Sequence, residues 1–178
     1  MSRFVRTPGS LAVAAVTALT LAATVACQSQ GDVTKPAPAA QVAAASSAGA
    51  PAGKLRIVEA PQGSVDSIVR DALGGAHAEG RTLVVYVGAT WCEPCQSFHH
   101  AADRGELDAA FPRLTLLAFD LDRDRERLAA AGYVSQYIPL FALPGPDGAA
   151  SGKQIAGGIK GDGVIGYLSA RLQQMLSE

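Results

Sequence analysis

What the chain has little of already narrows its identity. Fifteen Lys and Arg against sixteen Asp and Glu leave a formal net charge of −1, so there is no basic surplus to bind nucleic acid. Three cysteines in 178 residues are too few for a small secreted scaffold stapled by disulfides. A covalently attached c-type haem needs a histidine directly after a Cys-x-x-Cys pair; after Cys92 and Cys95 this chain has Gln96. The uncharged apolar run from Leu11 to Ala26 is 16 residues long, short of the about 20 that cross a bilayer as a helix. What remains suits one soluble domain with appendages.

Arg3 and Arg6 precede that apolar run, which ends in small residues. This is the pattern of an export signal over residues 1–26, outside the fold. Thr24-Val25-Ala26-Cys27 resembles the lipobox of bacterial lipoproteins, which implies that Cys27 becomes the mature N-terminus and carries lipid. Thr24 stands where an aliphatic residue is usual, so cleavage after Ala26 by an ordinary signal peptidase stays open. By the sorting habits of such lipoproteins, Gln28 is not an inner-membrane retention signal and points to the outer membrane of a Gram-negative host. From Gln28 to Gly53 the chain is Ala, Ser, Gly, Pro and Gln with almost no large apolar side chain. It buries too little to offset its chain entropy, so residues 27–53 read as the lipid-bearing Cys and a disordered tether with a reach of roughly 25–30 Å. Pro36, Pro38, Gly49 and Pro51 oppose an Ala-rich helix there. Residues 54–178 are then the folded domain, long enough for a single core.

Within it, Leu83-Val84-Val85-Tyr86-Val87 reads as a strand buried on both faces. Gly88 to Thr90 break it, and a polar, helix-compatible segment follows Cys92. The first turn of a helix carries unpaired N–H groups and about half a positive charge, which stabilises a thiolate and lowers a cysteine pKa. Cys92 is therefore the candidate nucleophile. Cys95, one turn on, is placed to attack a mixed disulfide formed on Cys92 and release it. Pro94 suits an early helical position. Two other readings use the same residues: a structural disulfide, which in so short a ring adds little stability, and a metal site of Cys92, Cys95 and His99 or His100, which has no evident fourth ligand for zinc.

Trp91-Cys92-Glu93-Pro94-Cys95 at a strand-to-helix turn resembles the Trp-Cys-x-x-Cys active site of the thioredoxin superfamily. Its Glu-Pro pair is similar to that of extracytoplasmic, membrane-tethered reducing members, and Ala76 to Val87 resembles the soluble C-terminal domain of membrane thiol reductases. The resemblance spans residues 64 to 176. It implies that Cys92 and Cys95 are catalytic, and that Ile138-Pro139 is the family's cis step, opening an edge strand that offers the Ile138 backbone to an extended substrate. There are departures. Tyr86 stands where many members have a buried acid six residues before the first Cys, thought to take the second thiol's proton; water, Glu93 or the Tyr86 phenol is left for that task. Glu93 opposes thiolate formation and Gln96 replaces a basic residue, which favours a reductant over a strong oxidant. His99, four residues after Cys95, either tunes it or is an exposed polar residue.

The remaining elements follow from spacing. Leu55 to Val58 is a short strand, and Ser64 offers a cap to a helix through Glu79, where Gly74-Gly75 invites a kink or early end. The Cys92 helix runs to about Ala102, and Gly105 to Phe111 is a second helical piece. Leu114 to Leu121 is a strand, and Asp120 to Arg127 is a solvated charged face opening a helix that Gly132 ends. Gly145 to Gly148 is a hairpin turn and Lys153 to Gly157 a strand. Asp162 can cap a last helix with Val164, Leu168, Leu172 and Met175 on its buried face. The order β-α-β-α-β-α-β-β-α predicts an α/β, thioredoxin-like three-layer fold, a central mixed sheet with helices on both faces.

Taken with the resemblance, this implies a thiol:disulfide oxidoreductase, a protein-disulfide reductase working through the Cys92/Cys95 dithiol without cofactor or metal. It is expected as an extracytoplasmic, periplasmic-side monomer, anchored to a membrane through lipid on Cys27. Disulfide-bearing proteins would be its substrates and a membrane partner its electron donor. An oxidase or isomerase of the same fold, a copper or zinc carrier using Cys92, Cys95 and His99, and a redox-dead binding module are the alternatives.

Overall fold

A computed structural model describes residues 53–178. The export signal, Cys27 and the tether up to residue 52 lie outside the described residues. In chain order the elements are β1 (Arg56–Glu59), α1 (Val65–Ala78), β2 (Thr82–Gly88), α2 (Glu93–Asp103), β3 (Leu114–Asp120), α3 (Leu121–Ala130), β4 (Leu140–Pro144), β5 (Ala150–Ala156) and α4 (Val164–Ser177). The sheet order is β1-β3-β2-β4-β5. β1, β3 and β2 run parallel, and β4 and β5 add an antiparallel hairpin. No helix among the described residues is long and apolar enough to cross a membrane.

Alternation along the central strands builds the layers, because successive side chains point to opposite faces. Val84 and Tyr86 of β2, with Leu116 and Ala118 of β3, meet Phe98 of α2 and Leu168 and Leu172 of α4. Leu83, Val85 and Val87, with Leu117 and Phe119, meet Val65 and Val69 of α1 and Leu128 of α3. From Leu83 to Gly88 every residue of β2 is buried, as expected of a strand covered on both sides.

Several expectations change. α1 runs unbroken through Gly74 and Gly75, which lie on its exposed side, while Val65, Val69 and Ala76 hold the helix to the sheet. Ser64 is its N-cap residue by position, yet its hydroxyl contacts the Asp66 carboxylate instead of a backbone N–H. Gly105 to Phe111 is a run of turns, not a helix: Gly105 takes φ +74°, and Asp108 turns away to accept the Leu55 N–H at 3.0 Å. β4 is interior, because the hairpin turn at Gly145–Gly148 brings β5 onto its free side. Asp162 does not cap α4, whose N-cap position is Gly163.

The charged run 120–127 is not all solvated. Asp124 is buried, only 1% exposed. It accepts from Arg123 (2.9 Å), the Asp120 N–H (3.0 Å) and Arg127 (3.1 Å). Arg127 donates onward to the carbonyls of Pro61 and Gly63 and lies over the Phe119 ring. Burial acts to raise the Asp124 pKa, but the two guanidiniums and the backbone N–H outweigh it and hold the carboxyl below its usual value. A depressed folded pKa stabilises above the unfolded value and is lost as pH falls through the folded one. Asp124→Asn should therefore cost about 2 kcal/mol near neutral pH, with the deficit shrinking below about pH 4. Urea unfolding of both proteins at neutral and acid pH measures it.

Candidate active site

β2 ends at Gly88, and the turn through Ala89 to Trp91 delivers Cys92 to the N-cap of α2 in an extended conformation. The Cys95 N–H donates to Cys92 Sγ at 3.3 Å, and Cys92 O accepts the first helical bond from Gln96 N at 3.0 Å. The sulfur thus occupies the place of a capping oxygen. Cys92 and Cys95 are joined as a disulfide. Pro94 lies in the first turn, where its missing N–H costs nothing. Cys92 is 5% exposed and Cys95 2%, so the pair is recessed and Cys92 is its more open member.

Two other segments close on this turn. Ile138-Pro139 is a cis step, and Val87 pairs with Leu140, which sets Pro139 beyond the register pair nearest the Cys92 turn. Pro139 O accepts from Gly157 N at 2.9 Å, while Arg171 of α4 holds the carbonyls of Ala156 and Gly157. A Cβ on Gly158 would lie 2.9 Å from Pro94 Cβ. Gly157-Gly158 therefore packs between the cis proline and the active-site helix. Beyond it, Glu93 accepts from Gly161 N at 3.3 Å and lies 3.8 Å from Lys160 Nζ. A cation partly offsets the charge beside Cys92.

Around the recess large apolar side chains are exposed. Trp91 is 63% exposed, with its indole N–H on Asp122 at 2.7 Å; Tyr137 and Ile159 are exposed on the segments just described.

On the other side, Cys95 opens on a cleft of about 420 Å³ that Tyr86, Gln96 and His99 also line. Tyr86 lies six residues before Cys92. Its ring packs with Phe98 and Phe141, and its hydroxyl is buried without a hydrogen-bond partner among the described residues. Only a glycine leaves room for it: a Cβ on Gly88 would come within 2.6 Å of the phenol oxygen. Burial, with Glu59 adding, pushes the phenol above its ordinary range, so it stays protonated and does not serve as a base. Glu93 does not line this cleft. His99 is half-buried rather than exposed and meets Tyr86 edge-on at 5.1 Å between ring centroids, whereas His100 is exposed. Among the described residues no three His, Cys, Asp or Glu side chains are grouped as if to hold a metal ion.

No family model matches this chain, and no curated protein does. Solved structures do match. The oxidised thioredoxin of Plasmodium falciparum is 18% identical, with a TM-score of 0.44 over 70% of this chain and 100% of that one. Thioredoxin f of spinach chloroplast is 18% identical, with a TM-score of 0.42 over 72% and 96%. A mutant thioredoxin of Halobacterium salinarum is 17% identical, with a TM-score of 0.41 over 72% and 93%. The strand order, the crossovers and the cysteine pair at the start of α2 answer the architecture expected from the sequence. The fold is thioredoxin-like.

Cys92, Cys95, Trp91, Glu93, Pro94, Ile138, Pro139 and Tyr86 all fall at or beside this turn. Lys160, Arg171, Glu59 and Arg123 also border it without any sequence signal; only the glycine pair at 157–158 hinted at the third segment. Because Gly158 has no free space above its Cα, Gly158→Ala should displace the first turn of α2 and destabilise the domain by about 1–3 kcal/mol. Chemical denaturation of the oxidised protein checks this; an unchanged midpoint would mean that the loop yields freely.

Proposed function

We propose that the chain is a thiol:disulfide oxidoreductase that reduces disulfides of extracytoplasmic proteins. In this reading it is tethered to a membrane through Cys27 on the periplasmic side and re-reduced by a membrane electron donor. The observation that carries it is the Cys92 sulfur held at the N-terminus of α2, accepting the Cys95 N–H. In the reduced protein that N–H and the helix dipole favour the thiolate over the thiol.

The cycle follows from the positions. The Cys92 thiolate attacks a substrate sulfur and forms a mixed disulfide, releasing the other substrate thiolate. Cys95 then attacks Cys92 Sγ, which restores the disulfide seen here and frees the second substrate sulfur. A recessed pair is reached only by a segment laid against the rim, and the exposed Trp91, Tyr137 and Ile159 suit apolar residues flanking an exposed substrate cysteine. The reducing direction is supported by Glu93 beside Cys92 and Gln96 in place of a cation, since neither stabilises the reduced thiolate as a strong oxidant requires.

The full chain should reduce insulin in the presence of dithiothreitol, with Cys92→Ser abolishing turnover and Cys95→Ser trapping mixed disulfides. Equilibration against glutathione should give a couple at or below about −200 mV. A value near −120 mV, the range of a dedicated oxidant, would reverse the direction assigned here.

A further inference from the structure

The cleft behind Cys95 holds groups that attack by Cys92 leaves unused. A cysteine that resolves a mixed disulfide must first lose its proton, because the thiolate is the nucleophile. Cys95 is 2% exposed, and the cleft is where it meets solvent. The Tyr86 phenol is neutral, and Glu93 is turned to Gly161 and Lys160. Three other titratable side chains of α2 line the cleft, His99, His100 and Asp103; His99, a single turn after Cys95, is half-buried, whereas the other two are exposed.

We propose that His99 is the base for the resolving step, taking the Cys95 proton through cleft solvent that the unpartnered Tyr86 hydroxyl anchors. This rests on the reading of Cys92 and Cys95 as an exchanging dithiol. At about 420 Å³ the cleft has room for several waters of roughly 30 Å³ each. In the step, the Cys95 S–H bond breaks, the proton goes to the imidazole and the electron pair stays on sulfur. That thiolate attacks Cys92 Sγ; the Cys92–Cys95 bond forms, the bond from Cys92 to the substrate sulfur breaks, and the substrate leaves as a thiolate that the imidazolium reprotonates. The dithiol loses two electrons and the substrate disulfide gains them.

The surroundings of His99 set its working range. Burial against Tyr86 of β2 lowers its pKa, Glu59 of β1 and Asp103 of its own helix raise it, and His100 lowers it; the net direction is down. From the far wall, Asp120 and Arg123 face the cleft already engaged, Asp120 capping α3 and Arg123 on Asp124. His99 is therefore neutral near pH 7 and able to accept a proton. Glu59 also lines the cleft, but it stands on β1 and not on the helix that carries Cys95, and a carboxylate is a weaker base than an imidazole. Tyr86 is a positioning residue in this scheme.

The test uses the reduced full chain with Cys27→Ser, so that Cys92 and Cys95 are its only thiols, and the chromogenic reagent dithionitrobenzoate. The first equivalent of dye reports attack by Cys92 and the second reports resolution by Cys95. Because burial lowers the His99 pKa, the second phase should already be level below an imidazole's ordinary value of about 6.5 in this parent. In His99→Gln it should be about a hundredfold slower at pH 7 and climb with pH to the thiol's own range near 8.5, while the first phase is unchanged. Tyr86→Phe keeps the ring packing and should slow the second phase about tenfold with the plateau at the same pH. Equal slowing of both phases, an unchanged second phase in both variants, or a larger loss in Glu59→Gln than in His99→Gln would overturn the proposal. A parent that releases no second equivalent would overturn the exchange reading itself.

Discussion

The site depends on how α2 is pressed onto the sheet. Phe98, fully buried, packs its ring against Tyr86 of β2 and Phe141 of β4, and Ala101 and Cys95 continue the same buried stripe. A thiolate gains from a helix N-terminus only if that terminus stays at one distance and angle, because the dipole effect fades within the first turn. Burying one side of α2 along its length fixes that geometry. The Cys95 N–H is free to reach Cys92 Sγ because a first-turn N–H has no intrahelical partner, and Phe98, three residues on, holds that turn against the sheet.

Much of this was legible in the sequence, for a physical reason. Strands covered on both faces must be continuously apolar, so β2 and β3 stand out, and a helix that buries one side must repeat near 3.6 residues, so α1 and α4 do too. The cysteine spacing places both sulfurs on one turn whatever the rest does. Misreadings fell where tertiary partners outvote local pattern. Gly105 to Phe111 has helical spacing, yet Leu55 N–H is left for Asp108, and that pairing is invisible locally. Asp124 looks like any member of a charged run until Arg123 and Arg127 fold over it. Arg81 is similar: it is buried, and satisfies its guanidinium on Thr115 and on the carbonyls of Lys54, Pro112 and Leu114.

The candidate site was legible at its centre and not at its borders. Residues contiguous with the Cys-x-x-Cys pair could be named, but Lys160 reaches Glu93 across 67 positions of chain. Only the fold brings them together. The role of His99 was also undecidable from its position in the helix, since residues four apart share a face whether that face is wet or buried. Its edge-on contact with Tyr86 shows that this face is partly buried.

Tyr86 is best understood with Gly88. A carboxylate at this buried position would carry the desolvation cost of a charge, whereas a phenol carries only that of a hydroxyl. The phenol is longer, and the bare Cα of Gly88 makes the space for it. A protonated phenol does not serve as acceptor for the second thiol's proton, so β2 supplies no base. In the proposed cycle that task falls to His99, on the helix that carries the thiol. Strand chemistry and helix chemistry are thereby separated: β2 supplies a neutral, rigid floor, and α2 carries both the sulfur to be activated and the imidazole one turn below it.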